Sequence, residues 1–270
     1  CRGRRGGWVA IGTIGGEAAA AMSAPPVISV VILHRARPAA VGRTVEAFRD
    51  QTVETSLIVV DNGSHPDTES RLPELVGDAE LILTGANLGF GPGGNVGLRR
   101  WLHRHDTEWV AIAPHDALPD ANTLEVMLEE LAAHPEAGLA SADVGDDALP
   151  VSEPYLGTSD APPTVESGFE YSGYPHGTLM LVSVLFCAPV LFSSLALRAD
   201  AAGWKCGLIR GAMVRNPGMS ASIERVAYLQ LRNTLLMLRE HFGRRHAAFR
   251  ILVALIQVPL GIVHAPARGL

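Results

Sequence analysis

The sequence predicts an α/β fold, a mainly parallel sheet flanked by helices with a C-terminal helical segment, and three observations carry that expectation. Short apolar runs alternate with segments whose apolar residues recur at helical spacing. Several runs switch abruptly to polar residues: VISVVILHRARP (Val27 to Pro38), LIVVDNGS (Leu57 to Ser64) and ANLGFGPGGNVGLRRW (Ala86 to Trp101). A strand buried on both faces reads as such a continuous apolar run, and a polar switch at its carboxyl end marks where a parallel sheet opens onto a ligand crevice. Finally, 270 residues with 47% hydrophobic content can bury one sizeable core with an appended segment.

The elements follow in order. Val27 to Leu33 is the first strand, and Ala39 to Asp50 carries Val41, Val45 and Phe48 at helical spacing. Leu57 to Val60 is the second strand, Pro73 to Gly77 a short helical piece, and Glu80 to Thr84 the third strand. Pro92 to Arg104 reads as a helix opened by glycines, and Trp109 to Ala113 as the fourth strand. Asp120 to Ala133 places Leu124, Met127, Leu128 and Leu131 on one helical face, and Gly138 to Ala142 is the fifth strand. Strand and helix in alternation imply a parallel sheet covered on both faces. From Asp143 to Pro175 the periodicity ends and Pro, Gly, Ser, Thr and acidic residues dominate. A stretch of that length reads as a functional loop or lid, or as a surface excursion without a role.

Charge and cysteine usage narrow the function classes. A net charge of −6 and a pI of about 5.9 give no basic field, so no nucleic-acid partner is expected. Cys1, Cys187 and Cys206 have neither metal-ligand spacing nor the density of a disulfide scaffold, which favours a reduced, cytoplasmic setting. Residues 1–22 look foreign to the fold: glycines and Glu17 interrupt any signal-peptide core, and an extension ahead of a start at Met22 is expected. The main domain is then 23–222, followed by a C-terminal amphipathic helical segment, 223–270.

In that last segment Leu231, Leu235, Leu238 and Phe242 share one helical face, and Arg225, Arg232, Arg239, Arg244, Arg245 and Arg250 supply positive charge. Ile251 to Val263 is apolar but interrupted by Gln257, Pro259 and Gly261, and falls short of the roughly 20 residues of a membrane span. Two readings stand: peripheral contact with the inner face of the plasma membrane, or a helix packed across the domain.

The ordered set VISVVILHRARPAAVGRTVEAFRDQT, IVVDNGS, NLGFGPGGNVGLR and WVAIAPHDALPDANTLEVML resembles the nucleotide-sugar-binding half of family 2 glycosyltransferases, and the resemblance continues through YPHGTLML, LALRADAAGWKCGLIRGAMVRNP and YLQLRNTLLMLREHFG. It is strongest toward bacterial rhamnosyltransferase-like members. It implies a GT-A (Rossmann-like) fold and transfer of a sugar from a dTDP- or UDP-sugar to a cell-envelope glycan or lipid-linked acceptor. Rhamnose from dTDP-rhamnose is the sugar it suggests, with inversion by direct displacement. It also implies Mg²⁺ or Mn²⁺, because such a cation neutralises the leaving phosphates through hard oxygen ligands.

Site residues follow from the same resemblance. Asp116 matches the second acid of the family's Asp-x-Asp metal motif, although Pro114 and His115 stand before it and the pair is incomplete. Capping of the following helix is the alternative role. Asp61 and Asn62 of VDNGS match a base-contacting turn; an Asx-turn that merely closes the strand is the alternative. Arg35 follows the first strand as a ribose or base contact or a solvated charge, and Asn87, Gly89 and Asn95 match an NxGxxxGxN-type element. His115 and His176 complete the donor-side set, His176 at a position that similar sequences use for donor-side or acceptor-side sugar contacts or else as a structural histidine. The glycine run could equally serve helix–strand packing, since it does not match a dinucleotide fingerprint. No catalytic base can be assigned. Similar sequences carry an acidic pair where this one reads SVLFCAPVLFSSLALR, with no Asp or Glu from Ser183 to Arg198. SVLFCAPVLF could pack as a core strand. A sequence error there, or a nucleotide-sugar-binding paralogue impaired in catalysis, are the competing explanations. A nucleotidyltransferase is disfavoured, because its glycine-rich basic loop is missing after the first strand.

Overall fold

The computed structural model describes residues 27–104, 107–153, 155, 157–187, 195–217 and 223–264. Strands β1 (Val27–His34), β2 (Glu54–Asp61), β3 (Glu80–Leu83) and β4 (Trp109–Pro114) lie parallel in the order β3-β2-β1-β4. Helices α1 (Pro38–Arg49), α2 (Pro66–Glu69), α3 (Leu72–Val76) and α4 (Phe90–Arg104) connect them. After the short β5 (Leu118–Pro119) come α5 (Thr123–Ala133), β6 (Ala137–Asp143), β7 (Leu149–Glu153), β8 (Gly157–Ala161) and β9 (Gly168–Tyr171). The chain continues with β10 (Met180–Ser183), α6 (Val184–Cys187), α7 (Leu195–Ala201), β11 (Lys205–Arg215), α8 (Ile223–His241) and α9 (Arg244–His264).

The sheet is mixed rather than uniformly parallel. β10 lies antiparallel between β4 and β6, β6 pairs parallel with β11, and β11 pairs antiparallel with β5 and β9. An antiparallel neighbour needs no crossover helix, so the strand–helix alternation of the first half could not announce it. The stretch expected to be a lid or loop also carries structure: β7 and β8 form a separate two-stranded ribbon and β9 joins the main sheet. Each is only four or five residues long, too short for alternation to emerge among prolines and acids. The apolar SVLF expected as a core strand is instead divided, Ser183 ending β10 and Val184 opening α6. The N-terminal extension and residues 188–194 lie outside the described residues.

Period-two alternation along β1 divides the core into two layers. Ile28, Val30 and Ile32 face Val41, Val45 and Phe48 of α1 and Leu124, Met127 and Leu131 of α5 in one layer. Val31 and Leu33 face Leu98 and Trp101 of α4, with Leu195 and Ala199 of α7, in the other. Phe48 and Trp101 are fully buried, and burial of such a side chain contributes about 1.5–3 kcal/mol. The close approach of α4 to β1 requires Gly97, because a Cβ there would overlap the side chain of Val31. With both faces covered, β1, β2 and β4 all direct their carboxyl ends to one edge, where the polar residues collect.

Candidate functional site

The central strand β1 sets the geometry. His34 at its carboxyl end pairs in register with Asp61 of β2, and on the other side Leu33 pairs with Pro114 of β4. Asp61 and the His115–Asp116 pair therefore flank His34 at one edge, two strand spacings apart, roughly 10 Å at the backbone.

His34 and Asp61 are fully buried, with His34 Nε2 3.7 Å from Asp61 Oδ1. Neither ring nitrogen of His34 has a hydrogen-bond partner, and Nε2 of His115 is likewise unsatisfied. The two rings meet edge-on with centroids 5.2 Å apart. Burial, and then the neighbouring His115, push the His34 pKa down to about 4 against the opposing pull of Asp61. Burial also lowers the pKa of His115, opposed by Asp116 and reinforced by Arg37. Both imidazoles are thus neutral at physiological pH. Buried polar nitrogens without partners are rare and mark sites where a ligand or water belongs.

Asp61 turns both oxygens onto Ser64, accepting from the hydroxyl at Oδ1 and from the backbone N–H at Oδ2, the latter at 2.9 Å. Ala36 N–H donates to Ser64 Oγ at 2.8 Å, tying the exits of β1 and β2 together. This is the Asx-turn considered as an alternative for Asp61, and the carboxylate keeps lone pairs that Ser64 does not use. Asn62 is 4% exposed and acts as a clamp. Its Nδ2 donates to Gly89 O at 3.0 Å and to Asn87 Oδ1 at 3.3 Å, while its Oδ1 accepts from Leu88 N–H at 2.9 Å. Gly63, at φ +71°, permits the contact, because a Cβ there would overlap the backbone of Ala86 and Asn87.

The remaining candidates divide. Asp116 is 9% exposed, and Asn216 beyond β11 donates to its Oδ1 at 3.5 Å. Thr44 Oγ1 donates to His115 O at 2.6 Å, so α1 fixes the turn that carries Asp116. Arg35 is exposed and approaches the cluster through its backbone, whose N–H donates to His115 Nδ1 at 3.4 Å. Asn87 and Gly89 are exposed on the loop that Asn62 holds, and Asn95 is buried in α4. His176 stands apart in a cavity of about 310 Å³ that Asp143, Asp146, Asp160 and Tyr174 also line. Its ring accepts from or donates to Thr178 Oγ1 at 3.0 Å, and burial lowers its pKa against the pull of Asp146 and Asp160. Neither Asp61 nor Asp116 lines that cavity.

Sequence reasoning missed two features. The first-strand exit His34-Arg35-Ala36 is similar to the family's exit triplet, yet the sequence reading assigns a contact only to Arg35 and leaves His34 out of the set. The acidic cavity draws on Asp143, Asp146 and Asp160 from a stretch without periodicity. One wall is held by Arg210, 4% exposed, whose Nε donates to Glu170 Oε2 at 2.9 Å and whose Nη2 donates to Ala148 O at 2.9 Å. Burial raises the Glu170 pKa, but bonds from Thr164 and Arg210 outweigh it and leave the carboxyl below its usual range.

A metal finds a limited donor set here. Among the described residues no three His, Cys, Asp or Glu side chains are grouped to hold an ion. Among the described residues Asp116, beside Asn216, and Asp61 across His34 offer the carboxylate oxygens at this edge, too few and too far apart for a closed shell. That fits a cation sharing its shell with substrate phosphates and does not fit an all-protein cage.

Comparison with known proteins places this geometry in context. Residues 29–154 match the family model for glycosyl transferase family 2. No curated protein matches the chain in sequence. Among solved structures, GalNAc-T7 with UDP, GalNAc and Mn²⁺ aligns at TM-score 0.58 and 11% identity, over 77% of this chain and 48% of that one. The chain thus spans about half the length of that relative. The mannosyltransferase PcManGT from Pyrobaculum calidifontis, in complex with GDP-Man and Mn²⁺, aligns at TM-score 0.56 and 17% identity, over 92% of this chain and 82% of that one. The fold is therefore that of the GT-A glycosyltransferases.

Proposed function

We propose that the chain is a family 2 glycosyltransferase that takes a sugar from a nucleoside-diphosphate donor, bound at the edge formed by His34, Asp61, His115 and Asp116. The observation that carries this reading is the convergence of two carboxylates and two buried, unsatisfied imidazoles at the carboxyl ends of adjacent strands, in a segment matching the family model. In the reaction the acceptor hydroxyl attacks the anomeric carbon, the bond to the phosphate oxygen breaks, the nucleoside diphosphate leaves, and the hydroxyl proton passes to solvent, since no side chain is assigned as base. Asp61 would accept the N–H of a pyrimidine base, with Ser64 shifting to free it. The Asn62-held loop at Asn87 and Gly89, together with Arg35, Asn95 and His115, would line the donor. Asp116 would hold Mg²⁺ or Mn²⁺ against the phosphates, and the ion would supply charge neutralisation of the leaving group. His176, in a cavity that neither Asp61 nor Asp116 lines, would contact the sugar or the acceptor. A dTDP-rhamnose donor and a cell-envelope glycan or lipid-linked acceptor are the substrates we favour.

The test is calorimetric titration of UDP, dTDP and GDP with and without Mg²⁺ or Mn²⁺. The cation should tighten binding at least about tenfold, about 1.4 kcal/mol, and Asp116→Ala should remove that increment. Absence of nucleotide binding, or an unchanged increment in the variant, overturns the reading. A second reading, donor binding without turnover, is favoured by the acid-free sequence from Ser183 to Arg198. It predicts nucleotide affinity with neither sugar transfer nor donor hydrolysis.

A further inference from the structure

Helix α9 is built inside out for a helix packed on a water-soluble domain. At 3.6 residues per turn, Ala248, Phe249, Ile251, Leu252, Leu255 and Ile256 fall on one arc, and all six are exposed. Leu252 is 56% exposed, Leu255 66% and Ile256 56%. The opposite arc, Ala247, Arg250 and Ala254, turns inward, and Ala254 is buried. An amphipathic helix on a globular domain normally does the reverse, with its apolar stripe toward the core. Contiguous exposed apolar surface of this kind marks an interaction site.

The charge on the same helix identifies the partner. In a chain of net charge −6, Arg244 to His264 contains three arginines and no Asp or Glu. Arg244 and Arg245 are exposed on the apolar arc, one turn before its first large side chain. No described helix is long and apolar enough to cross a membrane, and Pro259 and Gly261 interrupt the sequence of α9. An apolar outer face, a cationic end and too little continuous apolarity for spanning together describe a helix that lies in a lipid interface.

We propose that the outer face of α9 docks on anionic lipid, with Leu252, Leu255 and Ile256 in the acyl boundary, Phe249 beside them packed edge-on against Tyr155, and Arg244 and Arg245 on the headgroups. Docking does not depend on the donor site, so a chain that binds vesicles yet neither binds nor transfers a nucleotide sugar would sink only the glycosyltransferase reading.

The test is co-sedimentation of the full chain with vesicles of phosphatidylcholine containing 30% phosphatidylglycerol, and with phosphatidylcholine alone. Binding should be tight only to the anionic vesicles. Arg244→Gln with Arg245→Gln should weaken it about 30-fold, each arginine near a charged surface contributing about a factor of five. Leu252→Gln with Leu255→Gln should abolish it while leaving the melting temperature unchanged, because both positions are exposed. Equal binding to neutral vesicles, no binding to either, or full binding by the leucine variant each overturn the proposal. So does a dimer in size-exclusion chromatography that the leucine variant dissociates, since a second copy would then be the occupant.

Discussion

His34 sits between Asp61 and His115 with both nitrogens unsatisfied and its pKa pushed down to about 4. The folded protein therefore resists protonating this ring until about pH 4, whereas the unfolded chain takes the proton near the usual 6.5. Between these values the unfolded state binds more protons. Stability present above pH 6.5 is lost as pH falls toward 4, by at most about 1.4 kcal/mol per pH unit. His115 and His176 act in the same direction, so the informative quantity is the difference between wild type and His34→Gln. Melting temperature against pH should fall less steeply for the variant across that window, and parallel curves would remove His34 from the account. Ser64 offers a second residue-scale measurement. If a base reaches Asp61 by displacing Ser64, Ser64→Ala should tighten pyrimidine nucleotide binding by a few-fold, whereas weaker binding in calorimetry would mean that the Ser64 contact positions the carboxylate.

At the scale of elements, two junctions hold the edge in place. Gly97 lets α4 lie against β1, and Gly97→Ala should cost about 1–3 kcal/mol in urea unfolding, because the added methyl overlaps Val31. Arg210 of β11 bonds Glu170 of β9, with both side chains almost fully buried. Arg210→Ala leaves Glu170 uncompensated and should cost about 3–5 kcal/mol, while a paired Arg210→Met, Glu170→Met variant should recover most of it. Equal losses in the two variants would show that packing rather than charge is at stake. These junctions also show how legible the elements were. β1 could be read as an apolar run ending in a polar switch, and α1 and α5 because their apolar residues keep a helical period over more than two turns. β7, β8 and β9 could not, since four or five residues among prolines carry no period. Strand-end polar residues gave Asp61, Asn62 and Asp116, while His34, at the exit of the first strand beside Arg35, carried no assigned role because its burial between two strands is not a local property. The inward Asn62 clamp depends on a loop 25 residues away in sequence, which local pattern does not encode.

At the scale of the whole molecule, the β10 insertion ties early and late parts of the chain into one sheet. β4 pairs with β1 on one side and with β10 on the other, and β6 lies between β10 and β11. A fragment ending at residue 154, where the family match stops, would keep β4 and β6 but lose β10, which joins them, and β11, which pairs with β6 on its other side. It would expose one edge of β4 and both edges of β6, and unpaired strand edges invite intermolecular pairing. We expect such a truncation to be recovered as insoluble material and to regain solubility when residues 155–217 are supplied as a separate polypeptide; a soluble, cooperatively melting fragment would contradict this. The segment that carries the family match would then hold its shape only with the distal strands attached, so the two stretches make one indivisible folding unit.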